Sequence, residues 1–438
     1  MNSSEKNQAL PTAERRELIA WALFDFANSG YTTVVMTTIY SAYFVGVIAI
    51  NTQSISPGMP TLLWSLAIGL ANFVVMLIGP VIGAIADHRA SKKKFLLISS
   101  IICVLATALL SLIGPGEVVL SMALVTISAI MFALGENLIA AFLPELVTKE
   151  KMGRMSGYGW CVGYFGGLLT LGCCLGIIYW GQQQGMADTD IIPLTLLLTA
   201  AIFAVTASPT FIWLRERAVA QPEEQHISYF RISFNRLQHT FKRAVHYKDL
   251  FRFLLTLAVY QSGVSTVIVL AAIYAQEAMN FGRQELIILI MVVNVTAAVG
   301  AFVCGHLQDK IGSVPTLAFT LVLWGIAIMI AYLASSAVHM WIAGNIIGLA
   351  MGASQSVGRA LVSKFTPRER SGEFLGLWGL VIRLSAIIGP LSYGLVNYLT
   401  LGNHRQALLS TLVFFIVGLL LLMRVDEKRG KIAAMKHF

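Results

Sequence analysis

Charge is scarce in this chain. Of its 438 residues only 12% are Asp, Glu, Lys or Arg, against 57% hydrophobic, and the mean hydropathy is +0.74. So small a charged share excludes an ordinary soluble domain, in which about a quarter of residues are charged. Cysteine is scarce too: the five present (Cys103, Cys161, Cys173, Cys174 and Cys304) all fall in apolar stretches, where they read as buried thiols and not as a disulfide framework. Catalytic signatures are missing: there is no Walker loop and no HExxH, which removes the simple case for an ATP-driven pump and leaves no motif for an enzyme, a metal or a cofactor. No stretch alternates as the strands of a membrane barrel do.

What is there is a series of long apolar runs. A bilayer-spanning helix needs about 20 mainly apolar residues, and twelve such segments occur, near 19–48, 61–86, 95–114, 117–142, 155–181, 192–214, 250–276, 285–307, 314–336, 339–363, 373–399 and 405–424. The expectation is an all-α membrane protein of twelve transmembrane helices. The polar start, "MNSSEKNQALPTAERRE", reads as a retained tail because the span after it is too long for a signal-peptide core.

The few charges are sorted. Lys and Arg gather in "DHRASKKK", "TKEKMGR", the segment between spans 6 and 7, "QDKIG", "TPRER" and "RVDEKRGK", while the alternate loops hold only Arg283 and Arg405. This is the positive-inside pattern, with both termini cytoplasmic. It accounts for the net charge of +9 without nucleic acid, for which no role is expected. Between the spans, Phe230, Phe234, Leu237, Phe241 and Val245 share a helical face beside Arg231, Arg236, Lys242 and Arg243, which suits a helix lying on an anionic inner leaflet.

The chain also repeats itself. "NSGYTTVV" (28–35) recurs as "QSGVSTVI" (261–268), and "GAIADHRASKKK" after span 2 has its counterpart in "GHLQDKIG" after span 8. Two six-helix halves follow: 19–215 and 250–424, with tails at 1–18 and 425–438 and a linker at 216–249. Parallel halves of this kind place a solute site between them near mid-depth.

Gly83, Asp87, Lys92 and Lys93, with Gly305, Asp309 and Lys310, resemble the paired loop signature of the major facilitator superfamily. "WALFDFANSGY", "FLPEL" and "SGYGWCVGYFGG" more narrowly resemble its unknown major facilitator group, whose eukaryotic relatives are vacuolar effluxers of amino acids. The resemblance implies the major facilitator fold and export or exchange of amino acids or related metabolites. Relatives tend to carry an Asn-Asp pair where this chain has Gln261 and Ser262; Gln261 is a substrate or coupling-ion candidate, and that departure counts against an ion-coupling role there.

Asp87 and Asp309 have a physical reading of their own. Each can accept hydrogen bonds from the exposed amides of a helix start in the other half, Asp87 near Ser371 and Gly372, Asp309 beside Arg154, and so clasp the cytoplasmic side shut; the alternative is an interfacial anchor. In span 5, Gly159, Gly163 and Gly167 form a small-residue stripe, either a sliding contact between halves or static packing.

The remaining candidates are polar groups in hydrocarbon. Asp25, Asn28 and Thr32 are spaced to share one face of span 1, which suits a cavity lining or a polar seam; Asp25 is then a solute ligand, a proton carrier or a snorkelling residue. Arg383 stands near the middle of span 11, Arg359 one turn from the cytoplasmic end of span 10, and Glu136 within span 4. A guanidinium there must meet an anion, either a protein carboxylate or a group on the solute, and Glu136 or Asp25 is the candidate proton carrier. Tyr31, Tyr40, Trp160 and Tyr260 are candidate lining aromatics. Together these residues point to a monomeric secondary transporter moving a small polar solute, with protons as the candidate coupling ion, in the cytoplasmic membrane of a bacterium. The alternatives are a proton-coupled importer of an organic anion and, in another class, a transporter-like sensor or scaffold.

Overall fold

The computed structural model describes residues 13–50, 56–147, 149–217, 245, 247–366 and 371–435, apart from the side chains of 87, 144, 149–154, 156, 157, 371–373 and 375. Among the described residues there is no strand, and twelve helices are long and apolar enough to cross a membrane. In chain order they are α1 (Arg15–Ile48), α2 (Met59–His88), α3 (Lys92–Leu109), α4 (Val118–Ala140), α5 (Lys149–Gln183), α6 (Asp188–Trp213), α7 (Lys248–Met279), α8 (Arg283–Ile311), α9 (Ser313–Leu333), α10 (Ala337–Phe365), α11 (Ser371–Leu399) and α12 (His404–Leu422). A shorter helix, α13 (Glu427–Met435), follows in what the sequence suggested was only a basic tail. The segment expected to lie on the inner leaflet falls outside the described residues.

Two helices are more enclosed than the rest. In their most apolar windows 67% of α1 and 78% of α7 is buried, against 28–50% for the other ten, so these repeat-related helices occupy the middle of the bundle. α1 is tied to α4 by Tyr31 and Tyr40, whose hydroxyls lie 2.7 Å from those of Ser128 and Ser121, and by Trp21 Nε1, which donates to Ile139 O at 2.9 Å. α7 is tied to its neighbours in the same way: Tyr274 donates to Ala331 O (2.6 Å) on α9, and Ser385 of α11 donates to Ala258 O (3.0 Å). These bonds satisfy polar groups that lipid would leave unpaired.

The repeat extends to the backbone of the tight turns. α8 gives way to α9 through one residue, Gly312, at φ +96°, ψ 160°, a conformation open essentially to glycine alone. Counting back by the 222 residues that separate Gly305 from Gly83 leads to Ala90, which also has a positive φ, +47°. The first half therefore makes its turn with a strained alanine.

On the face that carries the basic loops, each half closes with a charge lock. Glu216 accepts from the backbone N–H of Lys92 (2.6 Å) and Lys93 (3.3 Å) at the start of α3, while Arg217 pairs with Glu17 (2.7 Å) at the start of α1. In the second half Glu427 accepts from Ser313 N (2.6 Å) and Val314 N (3.2 Å) at the start of α9, and Arg429 holds Asp249 of α7 by two bonds of 2.5 and 2.6 Å. Each carboxylate satisfies orphan amides at a helix N-terminus, where the helix dipole favours it. Burial alone would raise the Glu427 carboxyl; hydrogen bonds from Lys431, Val314 N and Ser313 N, with the charge of Lys364, overcome that and hold it at about 2.

Candidate functional site

At the opposite face the described contacts join the halves. Arg283 at the start of α8 pairs with Asp188 of α6 (2.9 Å) and lies over the Tyr43 ring, and Gln284 donates to Gln182 (2.7 Å). Gly58 and Gly394 let α2 and α11 touch: a Cβ at Gly58, whose φ is +82°, would come within 2.6 Å of Asn397 O, and one at Gly394 within 2.8 Å of Ser65 Oγ.

Within the spans a second bridge crosses the interface, its carboxylate half exposed. Arg383 of α11 donates to Glu136 of α4 at 2.8 Å and to Asn72 Oδ1 of α2 at 3.4 Å. The arginine expected to need an anion thus finds a protein carboxylate, and that carboxylate belongs to the other half. Asn72, which the sequence reading did not single out, completes the bridge from the middle of an otherwise apolar run.

Arg359 is placed differently. It is half-buried six positions before the end of α10, with Cζ 5.2 Å from the ring centroid of Trp160 (α5) and 5.6 Å from that of Trp378 (α11). Its guanidinium makes no hydrogen bond and no ion pair among the described residues. Trp160 therefore packs across the interface against Arg359, whereas Tyr31 and Tyr40 are packed within the first half and Tyr260 is buried beneath Gly358 and Gly418.

Helix α1 changes character at the repeat motif. Its α-helical part ends at Tyr31, and Thr32–Thr38 and Phe44–Ile48 are wound as π-helix. Threonine hydroxyls take up carbonyls loosened by the wider turn: Thr32 donates to Asn28 O (3.0 Å), Thr33 to Ser29 O (2.8 Å) and Thr37 to Thr33 O (3.1 Å). The face expected for Asp25, Asn28 and Thr32 thus holds as far as Asn28 and breaks at Thr32, the first π residue. Asp25 is half-buried and makes no hydrogen bond or ion pair among the described residues, though it lies near enough to Glu136 for the two negative charges to oppose one another. Asn28 is 7% exposed, and its Oδ1 has no donor. Gln261, its counterpart in α7, is buried.

The α5 glycines face α1. A Cβ at Gly159 would run into Asp25 Oδ2 and the Trp21 ring, one at Gly163 would lie 2.8 Å from Ser29 Oγ, and one at Gly167 would lie 3.2 Å from Thr33 Cγ2. The stripe is packing within the first half, not a contact across the interface. A tighter stripe went unread: Gly344, Gly348 and Gly352 of α10, four apart in "GNIIGLAMG", where a Cβ at Gly348 would sit 2.6 Å from Val293 O of α8 and one at Gly352 would overlap Ala297 O.

Of the residues expected at the cytoplasmic gate, Lys92 and Lys93 have described partners in their own half, Glu145 (2.7 Å) and Leu214 O (2.6 Å). Asp309 is exposed and has no described partner, Lys310 is exposed, and Gly83 and Gly305 have open space where a Cβ would stand. The side chains of Asp87 and Arg154, and those at the start of α11, lie outside the described residues. Of the five cysteines, Cys103, Cys174 and Cys304 are buried as expected; Cys161 and Cys173 are exposed, because they occupy the outward face of α5.

With this geometry in hand the chain was compared with known proteins. The profile of the vacuole effluxer Atg22-like family matches residues 42–435. An uncharacterised MFS-type transporter, YxiO, of Bacillus subtilis (strain 168) is 28% identical over 411 residues, covering 93% of this chain and 94% of that protein. Autophagy-related protein 22 of Kluyveromyces lactis is 24% identical over 371 residues, 78% of this chain and 74% of that protein. Among solved structures, a mutant of the nucleoside transporter NupG superposes with a TM-score of 0.71 at 11% identity, covering 93% of this chain and 99% of NupG. The fold is that of the major facilitator transporters, the class is transporter and not enzyme, and the chain belongs to the vacuole effluxer Atg22-like family.

Proposed function

We propose that the protein exports or exchanges amino acids or closely related metabolites across the cytoplasmic membrane of a bacterium, as a monomer with both termini inside, by rocking its halves about the Arg383–Glu136 bridge. That bridge is the observation carrying the reading: an ion pair between helices of opposite halves must break and re-form if the halves move apart. Glu136, the carboxylate of that bridge, is the candidate through which protons couple to transport. The relatives support the reading: the family profile is that of a vacuole effluxer, and one similar protein, YxiO, is bacterial.

A second reading is favoured by one observation. The unpaired guanidinium of Arg359 suits an organic anion moved with protons as well as it suits an amino acid. Reconstituted vesicles separate the two: vesicles preloaded with unlabelled amino acid should accumulate the labelled form by counterflow. Counterflow with a 2-oxo acid but with none of the amino acids selects the second reading. A protein supporting no flux of any small solute is a sensor or scaffold.

A further inference from the structure

The face opposite the basic loops carries Arg283 and Arg405 as its Lys and Arg residues. Arg283 has a carboxylate, that of Asp188. Arg405, near the start of α12, is half-buried and meets no carboxylate among the described residues: its guanidinium donates to Tyr332 O at the end of α9 (3.0 Å) and approaches Met279 Sδ of α7 (3.7 Å), and neither partner is charged. Beside it α9 and α12 part. Leu321, Gly325 and Leu333 on one wall and Leu412, Phe415 and Leu419 on the other line an apolar groove of about 430 Å³. Arg405, Leu412 and Leu419 follow one another at about two helical turns, so the guanidinium and the groove share one face of α12. On the other wall Tyr332, whose carbonyl holds Arg405, precedes Leu333, the last groove residue of α9. The charge therefore stands at the mouth. Gly325 keeps the middle of the groove open, since a Cβ there would already lie 3.5 Å from Leu412 Cδ1, and Phe415 is fixed by stacking on Trp324 with centroids 5.0 Å apart. From Leu321 to Leu333 the helix rises about 18 Å, close to the depth of one leaflet, half of a hydrocarbon core of about 30 Å.

We propose that the α9–α12 groove seats one phospholipid of net negative headgroup, from the leaflet on that side of the membrane, with an acyl chain between the two helices and its phosphate on Arg405. The two parts of the site do different things. Lipid tails are as apolar as leucine, so the groove accepts a chain without preferring one lipid over another. The guanidinium supplies the choice: its planar fork suits a phosphate, and it stands at headgroup level without a protein counter-charge. A zwitterionic headgroup brings its own cation and leaves that charge only partly compensated. Because Arg405 touches the ends of α7 and α9 while belonging to α12, a phosphate seated on it braces three helices of the second half at one point.

The test uses the full chain purified in detergent and offered equal amounts of phosphatidylglycerol and phosphatidylethanolamine with the same dioleoyl chains, the retained lipid being counted by native mass spectrometry. The parent should keep a single phosphatidylglycerol in about tenfold preference over phosphatidylethanolamine. Arg405→Gln should bring that ratio close to one. Gly325→Phe fills the groove and leaves the arginine in place, and it should lower phosphatidylglycerol retention to the level of phosphatidylethanolamine in the parent. Where Arg405→Gln does not stay monodisperse, the parent is offered dioleoylglycerol, which has the chains and no phosphate and should be retained no better than phosphatidylethanolamine. Equal retention of the two phospholipids by the parent, or a preference that survives Arg405→Gln, overturns the proposal. So does a preference that survives Gly325→Phe, which would show a headgroup contact without a seat for the chain. A dimer that Gly325→Phe dissociates would make a second copy of the chain the occupant and overturns it as well.

Discussion

Arg383 and Arg359 are both arginines in membrane-spanning helices of the second half, and both reach across to the first. Arg383 meets Glu136 at 2.8 Å and Asn72 at 3.4 Å; Arg359 lies over the faces of two indoles and has no ion pair among the described residues. An arginine with its carboxylate in place is complete without a ligand and can hold two bodies together. One stacked on rings has its charge softened but none of its donors used, because the indole faces take the cation and accept none of its N–H groups. Under the proposed function, the first would serve coupling and the second recognition.

The sharpest way to break that comparison is to remove the partner. Glu136→Ala leaves the guanidinium without its carboxylate and, with Glu136 half exposed, should lower stability by about 1–2 kcal/mol, with Arg383→Met in the same chain restoring much of the loss. Thermal unfolding of the single and double variants measures this, and independent, additive losses would mean the two charges do not depend on each other. Arg359→Met should do less, within about 1 kcal/mol in either direction, since no partner is orphaned. A loss as large as that of Glu136→Ala would place Arg359 in the scaffold.

A smaller effect concerns the locks at the basic face. The Glu427 carboxyl sits at about 2, below its ordinary 4.5, so its contribution is complete above about pH 4.5 and is lost as pH falls through about 2. Glu427→Gln should cost about 1 kcal/mol at pH 7, and the gap between the unfolding temperatures of parent and variant should narrow from pH 5 to pH 3. A gap constant across that range would show that the carboxylate charge contributes nothing. Smaller again is the turn at Ala90: Ala90→Gly relieves a positive φ and should raise stability by about 0.5–1 kcal/mol, while Gly312→Ala at the equivalent turn should lower it by more. Opposite signs at the two sites check that the halves share one backbone plan.

Much of this was legible in the residues. Twelve apolar runs, the repeat and the cost of charge in hydrocarbon pick out the bundle, its halves and the positions of Asp25, Glu136, Arg359 and Arg383. Their partners were not legible, because Asn72 and Trp378 are close to them only after folding and neither stands in a recognisable motif. The π-helical break at Thr32 was hidden for a related reason: a run of threonine and valine between apolar residues reads as ordinary helix until the hydroxyl bonds are seen. The α10 glycines are legible by their four-residue spacing, whereas only folding shows that the α5 stripe packs against α1.

The central claim, that one arginine serves coupling and the other recognition, is tested most directly in vesicles carrying Glu136→Gln or Arg359→Lys, with pH-driven flux and counterflow exchange of one amino acid measured side by side. Glu136→Gln should abolish the pH-driven component and keep exchange, which moves no net proton, whereas Arg359→Lys should depress both together. The same pattern in the two variants would contradict the division of roles.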